Sequence, residues 1–191
     1  MLTYTCLNNQ FIANSDYYLC PIQKKNIELI RRWRNKQIKV LRQQKIITPD
    51  EQKEYFERHI FSQFKFSHPS EILMGLYHKE TLIGYGGLVH IAWQEKKAEV
   101  SFLLNPTRMK YLNTYKKDFS NYLILIKKLA KEELNFHKIY SETYTFRKDH
   151  INLLEEANFI KEELIKDRTS KEGISIDSVI HGMVFKKNGL T

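Results

Sequence analysis

The stretch from Leu82 to Asn105 constrains this chain more than any other part of it. From Leu82 to Trp93 the residues alternate with period two: Ile83, Tyr85, Val89, Ile91 and Trp93 share one face, and Gly84, Gly86, Leu88 and Ala92 the other. That pattern predicts a strand. The polar run Gln94 to Lys97 turns the chain, and Ala98 to Leu104 reads as a second strand with Val100, Phe102 and Leu104 on one side. Glu99, Ser101 and Leu103 point the other way. A carboxylate set among apolar strand residues loses solvation, which favours its protonated form and suits it to take a proton near neutral pH. Glu99 is therefore the first candidate for acid–base chemistry.

Other elements follow from the same signals. Tyr18 to Ile22 reads as a strand, and Asn26 as the cap of a helix that carries Ile27, Ile30 and Trp33 and ends near Asn35. Thr48-Pro49-Asp50-Glu51 has the form of a capping box with proline at the first helical position. Ile72 to His78 is a strand. Asp118 is placed to cap a long helix whose apolar face holds Phe119, Tyr122, Leu123, Ile126, Leu129 and Ala130. Lys138 to Tyr144 (strand), Lys148 to Ala157 (helix), and Phe159 to Arg168 and Ile174 to Phe185 (strands) complete a mixed α/β layout, for which a generic α+β domain is the alternative. With 191 residues and no linker or repeat, residues 1–191 form one expected domain, its weakly patterned ends before Tyr18 and after Lys187 expected to be frayed tails or edge decorations.

Two cysteines, Cys6 and Cys20, are too few for a disulfide framework, and no Cys/His spacing suggests zinc. No apolar run nears the roughly 20 residues of a membrane span, and no secretory signal opens the chain, so a cytoplasmic protein without membrane partners is expected. The net charge of +9 favours polyanionic partners. Nucleic acid is one class, but the basic residues are interleaved with acids and no nucleic-acid motif is present. Coenzyme A and nucleotide-sugars are polyanions too.

Ala98-Glu99-Val100-Ser101-Phe102-Leu103-Leu104, a strand-borne Glu ahead of a charged loop and a helix, resembles the GNAT superfamily of acyl-CoA-dependent N-acetyltransferases. Leu153-Leu154-Glu155-Glu156-Ala157-Asn158-Phe159 is similar to the LLEKxGF helix end of its RimJ/RimL-like branch, with Asn158, a residue that tolerates the left-handed conformation, where glycine is usual. Trp33-Arg34-Asn35 further resembles members that acetylate aminodeoxy sugars for flagellin glycans and surface polysaccharides. The match runs over roughly Leu19 to Lys186. It implies a GNAT-like acyl-CoA N-acyltransferase fold, a central mixed, mostly antiparallel sheet flanked by helices. It also implies acetyl-CoA as co-substrate, no metal, and direct transfer to a primary amine on a small molecule, most simply a nucleotide-linked aminodeoxy sugar, by a monomer or homodimer. A protein N-terminus as acceptor, or a GNAT-like binding domain without catalysis, are the alternatives.

The resemblance distributes roles. Glu99 lies where the family often carries its general base; a cross-strand pair with a basic neighbour such as Lys97 or Arg108 is the structural alternative. The family's tyrosine proton donor is replaced by Leu154, while His150 stands where the RimL-like branch has a serine, and an imidazole of ordinary basicity, with a pKa of about 6.5, can protonate a thiolate. A surface histidine near a helix start is the plain alternative, and Tyr140 and Tyr144 are further donors. Phe102, Leu103 and Leu104 would supply main-chain groups to the oxyanion and the pantetheine arm. Tyr115-Lys116-Lys117-Asp118-Phe119 aligns with the pyrophosphate loop but has no glycine, so Arg108, Lys110, Lys116 and Lys117, with the helix start at Asp118 and Phe119, would hold the phosphates; a solvated basic surface, with acetyl-CoA binding weak or lost, is the alternative. Arg34, Asn35, Tyr85 and His181 are the expected acceptor contacts, with Arg34 suited to a diphosphate or carboxylate; core packing would equally account for Tyr85, Trp93 and Phe102, and a satisfied sheet position for His181. Neither cysteine lies in an active-site-like stretch, which argues against an acetyl-cysteine route.

Overall fold

The computed structural model describes residues 2–171 and 173–186. Its elements run β1 (Ile12–Asn14), β2 (Tyr17–Pro21), α1 (Ile27–Lys36), α2 (Pro49–Tyr55), a π turn (Phe56–Ile60) leading into α3 (Phe61–Gln63), β3 (Ile72–His78), β4 (Thr81–Ala92) and β5 (Lys97–Leu104). Then come α4 (Pro106–Met109), α5 (Leu112–Lys128), a second π turn (Leu129–Glu133), β6 (Lys138–Tyr144), α6 (Lys148–Glu156), β7 (Ile160–Lys171) and β8 (Ile174–Val184). The strands form one sheet of order β1-β2-β3-β4-β5-β6-β8-β7. Every neighbouring pair is antiparallel except β5 and β6, which run parallel and pair only over Lys97–Glu99 against Lys138–Tyr140. Beyond that point the two strands separate.

Local chemistry sets the element boundaries. Thr48 Oγ1 accepts from the Glu51 amide and a Glu51 carboxylate oxygen accepts from the Thr48 amide, so the capping box starts α2 as the sequence predicts. Asn158 adopts φ 65° just past α6, the left-handed stop expected of it. The apolar face of α5 is fully enclosed: Phe119, Tyr122, Leu123 and Ile126 are at most 1 % exposed. Burying each such side chain contributes about 1.5–3 kcal/mol. This helix lies against β1 and β2 and meets α6, which lies against β7; α1 packs on α2 and β5. No described helix is long and apolar enough to cross a membrane.

Two expectations are corrected. The long helix begins at Leu112, not at Asp118, because the Asp118 side chain is drawn into a tertiary network instead of capping its own helix. It is fully buried, accepts a hydrogen bond from Tyr17 Oη at 2.8 Å, and takes Arg108 in bidentate fashion at 2.6 and 2.9 Å. Of the two readings of the segment before Tyr18, the frayed tail is not what forms, and an edge decoration is. Tyr4, Leu7, Ile12 and Tyr17 join the core; Tyr4 stacks on Phe64 at 3.9 Å and its hydroxyl accepts from the Leu73 amide at 2.8 Å. A strand, β1, which the sequence pattern did not suggest, follows it. The expected fraying after Lys187 lies outside the described residues.

Removing Asp118 would leave Arg108 without its carboxylate and Tyr17 without an acceptor. Asp118→Ala should lower unfolding stability by about 3 kcal/mol, the low end for a broken buried pair because Arg108 is itself partly exposed. Urea unfolding of the two proteins measures it, and a loss within error of zero would show that the network does not hold the helix.

Candidate active site

The separation of β5 from β6 opens a cleft of about 330 Å³. Val100, Ser101 and Phe102 form one wall and Ser141 to Tyr144 the other. Arg42 and Gln43, from the segment after α1, close the top, and Arg147 and His150, at the start of α6, lie at the far side with Phe119. A narrow extension continues along Leu103, Leu104 and Tyr115, with Val40, Leu41, Phe102 and Arg147 common to both spaces. Side chains reach β5 on both edges: Gln37 donates to the Leu104 carbonyl at 2.8 Å, and Tyr122 Oη donates to that of Ser101, which faces β4.

Glu99 occupies the last paired rung, at the apex of the cleft. One of its oxygens takes Arg42 Nη2 at 2.8 Å and the other meets His90 Nδ1 at 2.8 Å. The alternative of a pair with a basic neighbour is thus present, but with Arg42 and His90 as the partners: Lys97 pairs with Glu95, and Arg108 with Asp118. Facing Glu99 across the cleft is Glu142, which shares Arg42 at 2.9 Å and also accepts from Arg168 at 2.6 Å and Ser178 at 2.7 Å. Burial alone would raise the Glu142 pKa, but the hydrogen bonds from Arg168 and Ser178 and the charges of both arginines hold it below the ordinary carboxylate range. Glu142 is thus a fixed negative charge, whereas Glu99 has a contact that can exchange protons.

His150 is buried in the wall of the cleft. Phe119 stacks on its ring at 4.1 Å, and Tyr115 Oη lies 2.6 Å from Nδ1. The sequence reading gave it an ordinary imidazole basicity; the structure corrects this. Burial, then the charges of Arg147 and His181, push its pKa well below the ordinary 6.5. The ring stays neutral, and the tautomer in which Tyr115 donates to Nδ1 carries its proton on Nε2.

Several expected contacts lie elsewhere. Arg34 lines the cleft and donates to the Tyr85 hydroxyl at 3.0 Å, while Tyr85 is buried behind it. Asn35 is outside the cleft: it donates to the Ile47 carbonyl and accepts from the Ile47 amide and from Gln43, which ties down the segment that carries Arg42. His181 is buried in β8 against Glu155 of α6 at 3.2 Å, away from the cleft. The stretch Tyr115 to Phe119 is interior helix. Lys116 and Lys117 are exposed more than a turn after the helix start, Asp118 faces the core, and Arg108 is committed to it. The chain enters α5 at Lys110-Tyr111-Leu112-Asn113, where no side chain caps the first amides.

Arg42, Glu142, His90 and Arg147 were not singled out by sequence. The argument that selects Glu99, a carboxylate inside an apolar strand, applies equally to Glu142 within β6. Nothing local marks Arg42, whose role depends on strands some 57 and 100 residues away.

Comparison with known proteins bears on this geometry. A family model described as an acetyltransferase (GNAT) domain matches residues 20–180. No curated protein sequence matches the chain. Among solved structures, spermidine N-acetyltransferase from Vibrio cholerae in complex with CoA and spermine is similar over 90 % of this chain and 96 % of that one, at 19 % identity and a TM-score of 0.76. A dodecameric structure of the Vibrio cholerae enzyme in an intermediate state is similar over 90 % and 95 %, at 20 % identity and a TM-score of 0.72. Such identities establish a common fold.

Because His150 is held neutral in the folded state, the unfolded chain binds its proton first as pH falls. The stability this provides is present in full above about pH 6.5 and is lost below it. His150→Gln should therefore flatten the fall in unfolding free energy below pH 6.5 by up to about 1.4 kcal/mol per pH unit. Chemical unfolding from pH 7 to 5 tests this; parallel slopes would refute the buried neutral ring.

Proposed function

The chain belongs to the GNAT acetyltransferase family, and from that premise we propose that Glu99 is the general base for transfer of an acetyl group from acetyl-CoA to the amine of a nucleotide-activated aminodeoxy sugar. The observation that carries this reading is the placement of Glu99 at the apex of the β5–β6 cleft. The helix end Leu153 to Phe159, with its left-handed Asn158, supports the RimJ/RimL-like branch.

Acetyl-CoA brings an activated acyl thioester. The residues suited to hold it are the β5 edge beyond Glu99 and the uncapped α5 N-terminus with Lys110 beside it, where amides and positive charge favour a diphosphate. Of the β5 edge, the Leu104 carbonyl is already taken by Gln37 and the carbonyls of Ser101 and Leu103 face β4, which leaves Val100 and Phe102 for main-chain contacts. Glu99 takes the proton of an acceptor ammonium placed in the cleft, freeing the amine for attack. His150, held neutral with Nδ1 taken by Tyr115 Oη, can offer Nε2–H as a hydrogen bond that stabilises the leaving thiolate. Glu142, held ionised, keeps the acceptor's positive charge near Glu99 until that transfer.

The guanidinium groups of Arg34, Arg42 and Arg147 line the same space and match a diphosphate-bearing acceptor. A second reading rests on Glu99 and Glu142 facing one cleft: two carboxylates suit a polyamine, the acceptor class of the Vibrio cholerae enzymes, once Arg42 swings aside.

Release of CoA thiol with a panel of UDP-linked amino sugars, spermidine and N-terminal peptides separates these acceptors. Glu99→Gln should lower kcat by about 10²–10⁴-fold with unchanged acetyl-CoA affinity by calorimetry; full turnover would remove Glu99 as base. Arg42→Ala gives the sign of the acceptor. A roughly tenfold rise in KM for a nucleotide-sugar supports the first reading, worth about 1.4 kcal/mol of lost binding. A fall in KM for spermidine supports the second.

A further inference from the structure

His90 faces Glu99 because of a local irregularity in β4. Val89 pairs with Glu99 and Ala92 with Lys97, so His90 and Ile91 together stand opposite the single residue Ala98. This is a β-bulge. In a regular strand the residue after Val89 would point away from Glu99; instead His90 has φ 49°, a left-handed conformation that costs about 1–3 kcal/mol in a residue other than glycine. Ile91 leaves the ladder and donates to the Ser70 carbonyl at 3.1 Å. The turned imidazole is then within 2.8 Å of Glu99, and its side chain is 64 % exposed while that of Glu99 is 11 % exposed.

The two partners of Glu99 differ in one respect. Arg42 only donates, because a guanidinium does not give up its proton or accept another in this range. An imidazole both accepts and donates. The charged groups around the pair are Arg42 on the other Glu99 oxygen and Glu71, which precedes β3; Glu71 is also near His59 of the π turn. None of these offers Glu99 a second proton-accepting contact among the described hydrogen bonds.

We propose that His90 is a positioning residue that carries the acceptor's proton from Glu99 to solvent. The inference rests on the reading of Glu99 as base. In the resting pair Nδ1–H donates to the Glu99 carboxylate. In the step, the acceptor N–H bond breaks and an O–H bond forms on Glu99; the exposed ring moves its own proton from Nδ1 to Nε2 by exchange with water, the Glu99 proton passes to the bare Nδ1, and the Nε2–H bond then breaks to water. The carboxylate and a neutral imidazole with Nδ1–H are restored, and one proton reaches solvent. The bulge is thus the backbone device that gives a buried base an exit.

The test compares wild type, His90→Ala, His90→Gln and Glu99→Gln, with a UDP-linked amino sugar as acceptor, or spermidine where that is the one turned over. The expected result is a roughly tenfold loss of kcat in His90→Ala and His90→Gln with unchanged KM for acetyl-CoA. Added imidazole restores His90→Ala severalfold and does nothing for a Glu99→Gln/His90→Ala double variant. A His90→Ala enzyme with wild-type kcat, or a loss that imidazole leaves untouched, overturns the relay. If Glu99→Gln keeps full activity, the base reading fails; if Glu99→Gln is inactive while His90→Ala is not, the relay alone fails. Independently of any acceptor, the ring ¹⁵N shifts of His90 should change on Glu99→Gln, and unchanged shifts would remove the contact on which the relay depends.

Discussion

Three rungs of parallel pairing in an otherwise antiparallel sheet set the geometry of everything else in this molecule. Parallel neighbours cannot be joined by a tight turn, so the chain must leave β5, cross as α5 and return as β6. Once the strands part after Glu99 and Tyr140, their facing main-chain groups need other partners. One is supplied by a side chain: Gln37 reaches the Leu104 carbonyl from the end of α1. On the opposite edge of β5, toward β4, Tyr122 of the crossover helix donates to the Ser101 carbonyl, and that contact requires bare backbone on β4. A Cβ on Gly86 would come within 2.6 Å of the Tyr122 hydroxyl oxygen and overlap the Ser101 carbonyl, and one on Gly87 would overlap the Ile72 carbonyl. The glycines of β4 therefore let it lie close to both of its neighbours, β3 and β5.

Within that opening, two carboxylates of the same chemical type acquire different roles from their partners. Glu142 is held by Arg168, Ser178 and Arg42, all donors, and burial does not outweigh them. Glu99 has one arginine and one histidine. A carboxylate surrounded by donors that cannot accept keeps its charge and is a poor base; one that touches an imidazole can pass protons. Arg42 couples the two because it binds both, and Asn35 and Gln43 fix the segment on which it rides. Asn35, read as a substrate contact, acts on the acceptor side only through that segment.

How much of this was visible in the sequence depends on the range of the deciding interaction. β3 and β6 fall at the expected residues, and the Thr48 capping box forms, because period-two alternation and a four-residue cap are local. The GNAT-like fold and Glu99 were legible for the same reason: a strand-borne carboxylate is a local pattern. Asp118 misled because an aspartate before an apolar run is a cap signal, yet its partners Tyr17 and Arg108 lie in other elements and their bonds to a buried carboxylate outweigh a cap. The alternation read from Leu82 to Trp93 hid the bulge at His90, since periodicity assumes the regular pleat that the bulge breaks. His150 was read with ordinary basicity, and only its enclosure by Phe119 and Tyr115 corrects that.

Moving the helix start to Leu112 also changes what the absence of glycine means. A glycine ahead of a phosphate-binding helix can serve two ends, a positive φ or a close approach of the backbone to the anion. The first is not needed here. None of residues 105–114 has positive φ, and Tyr111 enters the helix with an extended backbone at φ −111° and ψ 106°. The second is partly obstructed, because the side chains of Tyr111 and Leu112 stand at the helix entrance, both largely exposed. The first amides of α5 have no side-chain cap. A diphosphate at this end would therefore be met by helix amides along the axis and by a mobile ammonium from Lys110, with the two apolar side chains flanking it. That geometry exchanges the close backbone cradle of a glycine loop for charge, and charge acts over a longer distance and is screened by salt. Cofactor affinity in this chain should consequently depend on ionic strength more steeply than a glycine cradle would.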